Sequence, residues 1–166
     1  MAAHKSCWYA RVMAFFHRES ARNGHDGSGG MDRAEMERVV RRTYSERLSN
    51  DVERVCALFW DDALLRVAGK SGPLDAAAAS QARPSARASI EALVANWHWL
   101  ETRFFNLLID GNRAAVHYAV RLRFTPTREI LETEVFDILT IRDGKISEFV
   151  EFCDTALVAG LLNQAG

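Results

Sequence analysis

After Leu100 apolar and polar residues alternate, and the alternation runs almost to the C-terminus. The pattern predicts four strands over 102–109, 113–124, 129–141 and 145–153. They are joined by Asp110-Gly111-Asn112, Thr125-Pro126-Thr127-Arg128 and Arg142-Asp143-Gly144. Connections this short imply antiparallel neighbours. Within 113–124, Val116, Tyr118, Val120, Leu122 and Phe124 share one face, while His117, Arg121 and Arg123 share the other. One face therefore packs on helices and the other does not.

Before Leu100 the period is helical. Met36, Val40, Tyr44 and Leu48 recur every fourth residue with Val39 alongside, behind an Asp32–Glu35 capping box. Ser49-Asn50-Asp51 ends this helix and caps a second one carrying Val52, Val55, Leu58 and Phe59. Asp61-Asp62 leads into a short strand over 63–68. Residues 69–84, with Gly69, Gly72, Pro73, Pro84 and an alanine run, read as a long loop of the kind that forms flaps. Ser85 or Ser89 caps a third helix with Ile90, Leu93, Val94 and Trp97 on one face. Helices grouped ahead of a strongly curved antiparallel sheet predict an α+β fold.

A chain of 166 residues is one domain's worth and buries a core without disulfides or metal. Residues 1–30 stand apart. They end in the linker-like run Asn23-Gly24-His25-Asp26-Gly27-Ser28-Gly29-Gly30, directly before Met31. The expected organisation is a flexible or over-long N-terminal extension over 1–30 and one domain over 31–166. The formal charge of −1 carries no nucleic-acid footprint, and no uninterrupted apolar stretch is long enough to span a membrane. Cys7, Cys56 and Cys153 are too widely spaced for a disulfide framework or a zinc site, which suggests reduced thiols and a cytoplasmic location. His98 and His117 lack helical ligand spacing and a third partner, so no metal is expected. No phosphate loop, nucleophile elbow or Cys-x-x-Cys motif is present, so no cofactor is implied.

Register decides which acids face inward. The last turn has two readings: a two-residue Asp143-Gly144 loop pairs Ile141 with Ile146, and a three-residue loop pairs Ile141 with Lys145. A one-residue slip exchanges the faces. With the three-residue loop, and with Phe124 opposite Glu129, one coherent inner face results. Tyr118, Val135 and Glu151 form one row; Val116, Asp137 and Phe149 form the next. The outer face collects Arg121, Arg123, Glu132, Glu134 and Glu148, with Arg121 opposite Glu132. Such a face suits solvent or a second copy of the chain, and a homodimer is expected. An inward carboxyl such as Asp137 must be paired or protonated, so its pKa should rise. Asp137 and Glu151 are accordingly the candidate acid–base pair.

The order of elements resembles the nuclear transport factor 2-like superfamily, in its SnoaL-like and ketosteroid-isomerase-like branches. The resemblance covers roughly residues 32–162. It is carried by Cys56-Ala57-Leu58-Phe59-Trp60-Asp61-Asp62-Ala63, by Phe136 to Ile146, and by Glu151-Phe152-Cys153-Asp154-Thr155-Ala156. It implies a cone-shaped sheet wrapped around three helices, an apolar pocket at the wide end, and usually a dimer. Ketosteroid isomerases use a tyrosine and a protonated aspartic acid as an oxyanion hole. Tyr44 and Asp137 match those positions, while the family's base position holds Val67. In the related limonene epoxide hydrolase an acid on the last strand matches Glu151; its other groups fall near Val120, Tyr118, Leu65 and Val67. The resemblance thus implies Asp137, Glu151 and Tyr44 as catalytic groups. The pocket would be lined by Tyr118, Trp97, Val67, Leu65, Val116, Val120, Val135 and Phe149. Its occupant would be a small apolar carbonyl or cyclic compound, either turned over by isomerase, cyclase or hydratase chemistry or simply bound.

Overall fold

A computed structural model of the chain describes residues 31–68 and 85–165. The expected extension over 1–30 and the expected flap over 69–84 lie outside the described residues. From Met31 onward the chain forms one compact unit.

Helix α1 spans Arg33–Leu48. It starts where the Asp32 carboxylate accepts the Glu35 N–H at 2.7 Å, and it buries Met36, Val40, Thr43 and Tyr44 on one side. Asn50 follows with a φ of 53°, a left-handed conformation that asparagine tolerates better than most residues. Asp51 then caps a short helix α2, Val52–Cys56, and strand β1 follows at Phe59–Val67. Helix α3 spans Ala86–Asn96 behind the Ser85 cap. Four long strands come next: β2 Trp97–Asp110, β3 Arg113–Phe124, β4 Glu129–Arg142 and β5 Lys145–Phe152. A final helix, α4, spans Thr155–Ala165.

The sheet has five strands in the order β1-β5-β4-β3-β2. Its four long strands run antiparallel as the short turns required, but β1 joins β5 in parallel, making one edge mixed. β1 and β5 are far apart in sequence, so no hairpin constrains their direction. The inner face buries Val116, Tyr118, Val120, Val135 and Leu139 with Met36, Val40 and Tyr44 of α1 in one core. Register shifts in β2, between Trp99 and Glu101 and between Phe104 and Asn106, mark bulges of the kind that bend a sheet.

Several boundaries differ from the sequence reading. β1 begins at Phe59 rather than 63, because α2 ends after a little more than one turn. α3 ends at Asn96, so Trp97 is the first residue of β2 and not the end of a helical stripe. Trp97, His98 and Trp99 then alternate as a strand does: Trp99 is buried, and Trp97 lies against Phe124 with ring centroids 4.6 Å apart. Asn50 pins this start, accepting the Trp99 N–H at 2.8 Å and donating to the Trp99 carbonyl at 2.9 Å. Helix α4 is absent from the sequence reading because its residues are apolar nearly all round and show no clear period.

The β3–β4 register is the expected one, with Tyr118 opposite Val135, Val116 opposite Asp137 and Arg121 opposite Glu132. The β4–β5 hairpin takes the two-residue loop instead, pairing Ile141 with Ile146. Asp143 and Gly144 both have positive φ, 48° and 76°, the combination a mirror-image type I turn demands. Alone, that loop would turn Glu151 outward. The register shifts at Thr140, which pairs with Glu148 and leaves Ser147 extra. The Ser147 hydroxyl donates to the Thr140 carbonyl at 3.2 Å, and the bulge returns Glu151 to the inner face. Asp137 therefore stands directly opposite Glu151, and Leu139 opposite Phe149, in place of the expected rows. A Gly144→Ala substitution meets no atom within 4 Å, so its cost is backbone strain alone. We expect a loss of about 1 kcal/mol in chemical denaturation.

Candidate functional site

Between the inner sheet face and the helices lies a cavity of about 120 Å³, large enough for several waters or a small ring compound. Its walls are mainly aliphatic and aromatic. The expected lining residues Tyr118, Trp97, Val67, Leu65, Val120, Val135 and Phe149 all border it, as do Tyr44 and Glu151. Val116 and Asp137 do not. Both are fully buried beneath the cavity, because Tyr44 of α1 and Tyr118 of β3 roof that part of the sheet. Asp137 is therefore a group behind the wall rather than on it.

The buried end holds a dense polar cluster. The Tyr44 hydroxyl donates to Asp137 Oδ2 at 2.8 Å. The Tyr118 ring packs edge-on against Tyr44, with centroids 4.9 Å apart. The Tyr118 hydroxyl approaches the same carboxyl closely enough to affect it, yet without bonding geometry. Among the described residues, Tyr118 Oη and Asp137 Oδ1 are both buried without a hydrogen-bond partner. Burial drives the Asp137 pKa well above the usual carboxylate range, and the charge of Glu151 across the strand pair raises it further. The hydroxyls of Tyr44 and Tyr118 pull the other way, but burial prevails. A neutral Asp137 also suits the unpartnered Oδ1, because a buried oxygen without a donor costs less uncharged than charged. Both phenols are themselves pushed up, first by burial and then by Asp137, so they stay neutral donors.

Of the two inward acids, Glu151 is the one that meets the cavity. Burial raises its pKa as well, while the nearby charge of Arg47 and the neighbouring Cys153 thiol oppose the rise. Cys153 borders the cavity too, and its thiol is pushed up to about 12 by burial and by the two acids, so it is no nucleophile.

Arg47, Thr133, Leu157 and Val158 are among the wall residues that the sequence reading missed. Arg47 lies on the same inward side of α1 as Thr43 and Tyr44, and its position on that stripe was the available signal. Thr133 of β4 borders the cavity one inward position before Val135. Leu157 and Val158 of α4 close one side behind the Asp154 carboxylate, which accepts the Leu157 N–H at 3.0 Å. Among the described residues no group of three His, Cys, Asp or Glu side chains is placed to hold a metal ion, and no helix is long and apolar enough to cross a membrane.

Similarity to solved structures follows the fold. The epoxide hydrolase/cyclase-like enzyme SalBIII, described for pyran ring formation in the polyether salinomycin, is 19% identical with a TM-score of 0.61; the match covers 75% of this chain and 95% of that one. An LEH-like epoxide hydrolase of M. tuberculosis is 17% identical with a TM-score of 0.57, over 78% of this chain and 97% of the other. An NTF2-like protein of Burkholderia xenovorans is 18% identical with a TM-score of 0.57, over 79% and 98%. At these identities the likeness concerns the fold. No curated protein matches the sequence. The SnoaL-like domain family matches residues 40–149, from the middle of α1 into β5. With an α+β architecture, a curved five-stranded sheet and a family match over residues 40–149, this chain belongs to the SnoaL-like domain family and shares the fold of the NTF2-like structure.

Proposed function

We propose that this protein is an acid–base enzyme acting on a small, largely apolar carbonyl or cyclic compound, with Glu151 as the group that takes and returns a proton. One observation carries this reading: Glu151 borders an otherwise mainly apolar cavity, directly opposite a buried acid that Tyr44 hydrogen-bonds. A buried carboxylate with a raised pKa is a stronger base than one in water and sits nearer working pH. Asp137, neutral behind the wall, leaves the pair a single negative charge, which resides on Glu151. Tyr44 and Tyr118 stiffen that arrangement from the other side. A proton taken from a carbon beside a carbonyl and returned elsewhere gives isomerisation; the same base taking the proton of a hydroxyl whose oxygen adds to a carbonyl carbon gives ring closure, the C=O π pair moving to the carbonyl oxygen, which then receives the proton. The structural relatives include two proteins described as putative isomerases and the epoxide hydrolase/cyclase-like SalBIII.

The test is proton exchange. Purified protein is incubated in D2O with a panel of small cyclic ketones, and loss of the protons beside the carbonyl is followed by NMR. Exchange should exceed the buffer rate and rise with pH until Glu151 is fully ionised, then level off. Buffer-rate exchange across the panel, together with tight retention of an unaltered co-purified molecule in native mass spectrometry, would favour a binding protein. The aliphatic Leu65 and Val67 in the cavity wall are the features that support this second reading.

A further inference from the structure

We propose that Arg47 is a positioning residue that keeps Glu151 charged in the cavity and so leaves it free to accept a proton. The inference rests on the acid–base reading of Glu151 but adds a residue from a different element. Arg47 stands one turn beyond Tyr44 on α1, and both border the same cavity as Glu151. Its guanidinium is tethered from several directions. One Nη donates to Asn50 Oδ1 at 3.0 Å; the other donates to the Leu93 carbonyl at 3.2 Å and to the Trp97 carbonyl. The guanidinium carbon lies 4.9 Å from the centroid of the Trp99 ring. These partners are neutral, so they fix the cation without cancelling its charge. The carbonyls belong to the end of α3 and the start of β2, where partial negative charge favours a cation.

A fixed charge in a largely dry wall acts over a longer range than one in water. Burial lowers the Arg47 pKa to about 10, still high enough to keep it charged at neutral pH, and the charge of Glu151 is the main influence opposing the fall. Glu151 is faced by Asp137 from β4, Tyr118 from β3, Tyr44 and Arg47 from α1, and Cys153 beyond the end of β5, with Asp154 at the rim. β1 offers only Val67 opposite it. Of these groups Arg47 alone carries a positive charge. Without it, only the Cys153 thiol would oppose the burial that favours a protonated Glu151, which cannot act as a base. With it, the cation and the Glu151 anion balance inside the cavity, and Asp154 lies at its rim. That balance fits an uncharged substrate.

The experiment reads the Glu151 titration midpoint by NMR of side-chain-labelled glutamate in the full chain, comparing wild type with R47M and R47K. R47M should move the midpoint up by about one pH unit or more, and R47K should restore it toward the wild-type value. An unmoved midpoint in folded R47M overturns the proposal. So does an R47K midpoint displaced as far as that of R47M, because the tether to the carbonyls would then matter and the charge would not. If R47M fails to fold, the wild-type Arg47 Nε resonance is followed through the same titration. It should move with the Glu151 midpoint, and a flat Arg47 signal overturns the proposal. The readout is a midpoint and not a turnover rate, so ketone exchange can fail while this coupling stands, and the reverse.

Discussion

Replacing Glu151 with glutamine should slow proton exchange on the ketone panel by about 10² to 10⁴-fold, the range typical of losing a positioned general base. The amide matches the carboxylate in size and keeps the β5 backbone undisturbed, so cavity shape and ligand affinity should persist. What disappears is basicity. The companion measurement is ligand line broadening in NMR, which should remain for the variant with the same ketones. Undiminished exchange in Glu151→Gln would remove Glu151 from the chemistry. Loss of broadening and exchange together would point to a damaged cavity, and Glu151→Asp then separates the two cases. Its carboxylate keeps the charge but is set back by one methylene, so it should retain broadening with partial exchange.

The second large effect is on stability, through Asp137. In the unfolded chain an aspartate titrates near a pKa of about 3.9. In the folded protein burial first, and the charge of Glu151 second, hold Asp137 protonated well above that value. Between the two midpoints the folded state binds more protons than the unfolded state, so stability falls as pH rises through that window. The decline begins above about pH 4, has a limiting slope of about 1.4 kcal/mol per pH unit for one such group, and ends only above the folded midpoint. Glu151, also raised, acts in the same direction. Asp137→Asn is neutral at every pH and keeps an acceptor for the Tyr44 hydroxyl. It should flatten most of the decline, making the variant more stable than wild type at alkaline pH and not at pH 4. Urea denaturation from pH 4 to 9 measures both curves. A wild-type curve that is level or rising across this range would contradict a protonated Asp137.

Much of the frame was legible because local signals and global packing agreed. The four-residue turn after Phe124 set the β3–β4 register, and with it the rows that place Tyr118 and Asp137 on the inner face. The fourfold spacing of Met36, Val40 and Tyr44 set which side of α1 meets that face, and the contact between Tyr44 and Asp137 follows. The site was less legible where the deciding residue carries no distinctive pattern. Ser147 looks like any strand residue, and only the ladder reveals it as extra. Arg47 sits among Arg41 and Arg42, which suggests a solvated face; its burial depends on α3 and β2 crossing over it. The Trp97-His98-Trp99 alternation was a strand signal overshadowed by the helix before it. Asp137 pointed inward as expected, but depth along the sheet, which sequence does not encode, put it behind the cavity wall.

The extra residue in β5 acts as a one-step vernier between the hairpin loop and the cavity. The loop can lengthen or shorten by one residue without reversing the side chains beyond it, provided the offset at Ser147 is lost or gained in the same step. Insertions at that corner, ordinarily ruinous to everything downstream in a strand, thus become tolerable, and the outline of the molecule there can drift while the acid pair keeps its place.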